Sequence, residues 1–258
     1  MHKFIDTHAH IDDKKFDDDR DQVIEEIKEK GVMAIIDPAV NMRSCKKVLE
    51  LSEKHEIIYP AFGIHPHDAK DMKDNDLVII EEMLKNKKAV AVGEIGLDYH
   101  YDFSPRERQI EVFRDFLKLA KKINKPVIIH NRESDEDMVA ILESEMTDYL
   151  KGQFHCFSGD LNLLTRVLEM GFYVSFTGSV TFPKNNYAEI VERTPLDRIL
   201  LETDSPYMAP HPYRGRRCDS GMIPFIVKRI AEIKKIEEDL IYKYAYENSV
   251  RLFSVLKI

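Results

Sequence analysis

Along nearly the whole chain, short apolar runs alternate with longer segments in which apolar residues recur at helical spacing. The first run, Phe4-Ile5, leads into Asp6-Thr7-His8-Ala9-His10. Residues 17–30 follow as a polar stretch with Val23, Ile24 and Ile27 on one helical face, ended by Gly31. A second run at 32–36 stops at Asp37-Pro38, and residues 43–55 return to the helical pattern. Further runs lie at 57–62, 89–92, 126–129, 152–157, 172–176 and 199–201, each followed by an amphipathic segment. The runs lack polar alternation, so they read as strands buried on both faces, as in a parallel sheet covered by helices. Eight such strand–helix units in one chain of this length predict an α/β fold of the (β/α)₈ TIM-barrel type rather than a doubly wound sheet. Residues 237–257 predict one or two extra C-terminal helices. No linker or low-complexity stretch divides the chain, so residues 1–258 read as a single barrel domain.

Composition narrows the setting. The 258 residues are 43% hydrophobic and 33% charged, with a formal net charge of −8. Cys45, Cys156 and Cys218 have no paired or C-x-x-C spacing, which argues against a disulfide framework or a cysteine zinc site and for a reducing compartment. No apolar run has the length of a membrane span, and the N-terminus lacks the features of a signal peptide, so the expectation is a cytoplasmic protein with no membrane association and no obligate protein partner. The acidic balance argues against coating nucleic acid through bulk charge, but it allows an enzyme that grips a few phosphates locally.

In a barrel of this kind the active site is built at the C-terminal ends of the strands, and those ends carry metal-ligand chemistry. His8 and His10 alternate onto one strand face and can close on one ion. Other strand ends supply His65 and His67, Glu94 with Asp98 beyond it, His130 and Arg132, His155, and Asp204. Four imidazoles (His8, His10, His130, His155) and two carboxylates (Glu94, Asp204) exceed what one tetrahedral ion needs and fit two divalent cations, with Glu94 as the bridge. Two cations so held make a bound water acidic at neutral pH and offset charge at the attacked centre. Asp204 then suits both ligation and acceptance of the water's proton. Imidazoles suit zinc, nickel or iron, whereas the carboxylates and a phosphate substrate suit magnesium or manganese.

The order of these ligands resembles the metal-dependent amidohydrolase superfamily. More narrowly, DTHAHID, GIHPH, GEIGLDYH, PVIIHNR, HCFSG and ETDSPY resemble the TatD family of metal-dependent deoxyribonucleases, from residue 4 to beyond 214. That resemblance implies that His8, His10, Glu94 and Asp204 hold one ion, and that Glu94, His130 and His155 hold the other. It also implies metal-dependent cleavage of phosphodiesters at DNA ends, an exonuclease activity. Glu94 stands where other branches of the superfamily often carry a carboxylated lysine. Cys218-Asp219-Ser220 departs from the Asn-Glu-Pro frequent in the family, which bears on the contacts of that loop.

The remaining residues bear on substrate. His65 suits contact with a phosphate or leaving group, and His67 is balanced between that and a structural role. Arg132 shares the face of His130 and suits a phosphate or a rim salt bridge. The loop 207–217 is the densest basic cluster outside the helices. Tyr207, with Arg214, Arg216 and Arg217, suits a nucleic acid strand, DNA that is single-stranded or at an end. Tyr99, Tyr101 and Phe103 extend that wall or cap the core. Glu202 and Asp6 read as inward-facing partners of the ligands, and Cys156 as packing. The alternative function is hydrolysis of a small ester, lactone or amide, or of aminoacyl-tRNA, with the same two-metal site.

Overall fold

Each apolar run becomes a strand because it can be buried on both faces, and the amphipathic segments supply the cover. The computed structural model describes residues 2–147, 150–183 and 187–256. Its eight strands are β1 (Phe4–Asp6), β2 (Val32–Pro38), β3 (Ile58–Phe62), β4 (Ala91–Asp98), β5 (Val127–Arg132), β6 (Gly152–Phe154), β7 (Tyr173–Phe176) and β8 (Ile199–Leu201). They lie in sequence order, and every adjacent pair is parallel. The ring closes where the Thr7 amide donates to the carbonyl of Leu201 at 3.0 Å. The fold is the TIM barrel that the alternation predicts.

Side chains divide by parity. Ile5, Ala34, Ile36, Ala61, Ile128 and Leu200 fill the barrel interior. A larger apolar layer separates strands from helices, with Phe62, Phe116 and Phe176 fully or almost fully buried. Helices α8 (Ile223–Lys234) and α9 (Glu238–Leu252) end the described chain. Leu252 and Phe253 at the end of α9 join the interior cluster, so the C-terminal helix plugs the barrel at the end away from the ligand-bearing loops.

Several strand boundaries differ from the sequence pattern, β4 and β6 among them. β4 runs through Glu94 to Asp98, because the polar residues at its end are as buried as its apolar start. β6 stops at Phe154, because Cys156 takes a left-handed backbone (φ 44°) that turns the chain.

Candidate metal centre

Glu94 is 2% exposed and lies at the focus of five imidazoles. Its Oε2 is 3.4 Å from His8 Nε2 and 3.5 Å from His10 Nε2. Its Oε1 is 2.9 Å from His155 Nε2, 3.0 Å from His130 Nδ1 and 3.4 Å from His65 Nε2. One carboxylate therefore faces two separate sets of nitrogens. Asp204 joins the first set, with Oδ1 3.6 Å from His10 Nε2 and 3.8 Å from His8 Nε2.

The backbone makes this convergence possible. Gly96 adopts φ +146°, and a Cβ there would lie 1.9 Å from the carbonyl of His130, so only glycine lets β4 run this close to β5 beside the site. Asp204 holds a left-handed φ of 54°, and its amide donates to the carbonyl of His8 at 2.9 Å, tying the end of β8 to the first ligand loop.

The far side of each ring decides what the ring offers inward. His10 Nδ1–H donates to the carbonyl of Pro38 at 3.2 Å, and His130 Nε2–H donates to Asp98 Oδ2 at 2.9 Å. His155 Nδ1 faces Glu202 Oε1 at 3.6 Å. The outer nitrogen is hydrogen-bonded in His10 and His130 and faces a carboxylate in His155, so each ring in its neutral form would present a lone pair inward. His65 is reversed: its Nδ1 accepts the amide of His67 at 3.1 Å, so the neutral ring keeps its proton on Nε2 and aims an N–H at Glu94. The neutral His65 ring offers this site an N–H, whereas the inner nitrogens of neutral His10, His130 and His155 are of ligand type.

Charge follows the same arrangement. Burial alone would raise Glu94, but His155, His65, His8 and the hydrogen bond from His130 hold its carboxyl well below the usual range. Burial pushes His8 down to about 4 and His65 down to about 3, so both are neutral near pH 7. Burial also works against protonation of His155, yet Glu94 and Glu202 outweigh it and hold that ring well above its usual value. His130 is raised in the same way by Asp98 and Glu94. Burial lifts Asp204 to about 6 against the pull of His155 and His10.

The residues fit divalent cations. His8 Nε2 and His10 Nε2 approach to 3.2 Å, and His130 Nδ1 and His155 Nε2 to 3.1 Å, so in the neutral rings lone pairs would converge in a way a cation relieves. Among the described residues, the buried Nδ1 atoms of His8 and His155 have no hydrogen-bond partner. Groups of ligand type lie together as His8, His10 and Asp204 on one side and as Glu94 and His130 on the other, where His65 Nε2 is also within reach but carries the proton of the neutral ring. A cation would take the place of the protons that His130 and His155 now share with Glu94.

Sequence reading gave Asp98 no role. It is fully buried and accepts at one oxygen from both His130 and His67, each at 2.9 Å. These hydrogen bonds outweigh burial and hold its carboxyl far below the usual range. Buried Gln109 clamps the Asp98 backbone at both N and O. The available signal was parity, because residues 94, 96 and 98 share one strand face. Asp98→Asn should loosen the ring of His130 and lower metal affinity by roughly 10- to 100-fold, the usual cost of removing an outer carboxylate. Titration with a metal indicator checks this, and unchanged affinity would leave Asp98 a packing residue only.

Glu202, also fully buried, accepts from the Cys156 amide and from Ser175 Oγ while facing His155. Asp6 accepts from the amides of His8 and Thr203, and burial carries its carboxyl up to about 7. Both brace ligand loops. Cys156 Sγ lies 3.6 Å from Thr177 Oγ1, away from the metal-ligand set.

Above Glu94 opens a cavity of about 390 Å³ lined by His65, His130 and Asp204, with Tyr101, Arg132 and Tyr207 at its rim. The Arg132 guanidinium lies 4.7 Å over the ring of Tyr101 and has no carboxylate or carbonyl partner among the described residues. The other arginines named from the sequence do not line this cavity. Arg217 is paired with Asp19 at 2.5 Å and donates to the carbonyl of Lys15. Arg214 lies over Phe182 and Arg216 over Tyr213. Tyr207 is at the rim, its hydroxyl donating to Asp13 Oδ2 at 3.0 Å. No helix among the described residues is long and apolar enough to cross a membrane.

Comparison with known proteins adds the following. A family model described as TatD related DNase matches residues 5–254. A metal-dependent hydrolase of Bacillus subtilis, YabD, is 41% identical over 252 residues, covering 97% of this chain and 99% of YabD. YcfH of Escherichia coli, also named a metal-dependent hydrolase, is 31% identical, covering 97% of this chain and 96% of YcfH. The crystal structure of YjjV, a TatD homologue from Escherichia coli, superposes with a TM-score of 0.92 at 31% identity, over 98% of each chain.

Proposed function

The chain belongs to the family of TatD-related DNases and is a metal-dependent hydrolase; from that premise we propose that it hydrolyses phosphodiester bonds at nucleic acid ends, as an exonuclease acting on DNA. The observation that carries the reading is the double-faced Glu94, set between two groups of inward lone pairs beneath an open cavity. In this proposal His8, His10, Glu94 and Asp204 hold one divalent cation, and Glu94, His130 and His155 hold a second. Magnesium, manganese or zinc there supplies Lewis acidity toward water and phosphate oxygen.

The chain's own groups do the rest. Asp204, whose Oδ1 faces His8 and His10 beside Glu94, serves as base toward the attacking water. His65 presents its Nε2–H into the cavity, where it donates to a phosphate or leaving-group oxygen. The Arg132 guanidinium, without a carboxylate or carbonyl partner among the described residues, suits the planar grip of a phosphate. The family's description as DNases supports a DNA substrate.

The test is a panel: holoenzyme with defined metals against single- and double-stranded DNA, RNA, and a set of lactones and small esters, with products resolved by length. The account expects stepwise shortening of DNA from an end. Turnover of lactones or esters alone would replace it with the small-molecule reading.

Arg132→Ala should raise the Michaelis constant for an oligonucleotide by about tenfold, the scale of one charge-assisted contact. The combined change Arg214→Ala, Arg216→Ala and Arg217→Ala should raise it less, because those guanidinium groups are held by Asp19 or lie over rings outside the cavity. A larger effect from the triple variant would make the loop, not Arg132, the phosphate-binding wall.

A further inference from the structure

Large apolar side chains rarely stand in water without a use when they cluster. Six are exposed among the described residues, and the three aromatic ones, Tyr101, Phe103 and Tyr207, are 47%, 54% and 45% exposed. All three belong to the mouth of the Glu94 cavity. Tyr101 and Tyr207 line its rim, and Phe103 continues the wall outward, stacked on Tyr101 with ring centroids 5.1 Å apart and planes within 14°. His67 meets both rings edge-on, at 5.5 Å to Tyr101 and 4.8 Å to Phe103, which fixes the pair against the anchored β3 loop. Tyr101 also carries the unpaired guanidinium of Arg132.

We propose that Phe103, stacked on Tyr101, is a seat for an unpaired nucleobase of the substrate, with Arg132 taking the neighbouring phosphate. The inference rests on the phosphodiester reading above and adds what that reading lacks, a subsite for the base. Its logic is the alternation of flat apolar and anion-binding groups along one wall, which matches the alternation of base and phosphate along a single strand. A duplex hides the faces of its bases, so this seat requires a frayed or single-stranded end. Every base has a π-face, so the seat discriminates little among sequences. Phe103 makes no polar contact that would read a base edge.

The test compares Phe103→Ala and Phe103→Leu with the wild-type holoenzyme on three substrates: a single-stranded oligonucleotide, the same strand with abasic spacers at its terminal two positions, and methyl p-nitrophenyl phosphate. The leucine variant keeps an apolar side chain without a ring. Both variants should lose about tenfold or more in kcat/KM on the full strand relative to the small diester, mostly in KM, the scale of one lost base–aromatic contact. On the spacer strand, wild type and variants should converge. Equal loss on the full and spacer strands would overturn the base seat, as would an undiminished rate on the full strand, and either would leave the phosphodiester reading standing. A wild-type protein that cleaves the small diester but no strand overturns the seat together with the nucleic acid reading.

Discussion

Glu94→Ala is expected to lose more bound metal than any single histidine variant, because its two oxygens face both groups of ligands. Loss of His10 or His130 removes one donor from one group, whereas loss of Glu94 removes a donor from each. It also leaves convergent imidazoles with nothing negative between them, which adds repulsion wherever His130 and His155 are protonated. Metal content after dialysis should fall toward zero, and activity with it. Glu94→Gln tests the same point without a cavity, since it keeps the shape and one carbonyl oxygen while removing the charge. It should retain metal in at most one group. Circular dichroism confirms folding in both variants, and full metal content in a folded Glu94→Ala protein would refute the shared role.

The second large effect is at Asp204. Asp204→Asn keeps the size of the side chain and one oxygen toward His8 and His10, but it cannot accept a proton. Turnover should drop by roughly a hundredfold or more, the usual contribution of a general base. Most of the metal should remain, because His8, His10 and Glu94 are untouched. Turnover within a few-fold of wild type at full metal content would show that Asp204 only ligates or only shapes the loop.

Much of this site is legible in the sequence because the barrel imposes two simple rules. Strand parity puts residues two apart on one face, and the chemistry gathers at the C-terminal ends of the strands. His8 with His10, and the isolated Glu94, His130, His155 and Asp204, each follow an apolar run, so their convergence on Glu94 can be anticipated from order alone. Local pattern does not reveal pairings across the chain. Arg217 looks like a free cation in a basic loop, yet its partner is Asp19, on the segment after the first ligand loop. Arg132 carries the same formal charge and is the one left open at the cavity.

The division of labour among the histidines was hidden for a related reason. Whether a ring offers a lone pair or an N–H depends on the atom behind it, and for His65 that atom is the amide of His67 two residues on. For His130 it is Asp98, on the neighbouring strand β4. The residue types are the same; their outer partners decide which nitrogen of the neutral ring faces the site.

Anomalous scattering from crystals of the protein grown with manganese or zinc tests the central claim most directly. The account predicts two peaks about 3.5–4 Å apart, the spacing of two-metal hydrolases. One would lie among His8, His10 and Asp204, the other beside His130 and His155, with the Glu94 carboxylate between them and His65 Nε2 outside bonding distance of both. A single peak at full occupancy, or a peak bonded to His65 Nε2, would contradict it.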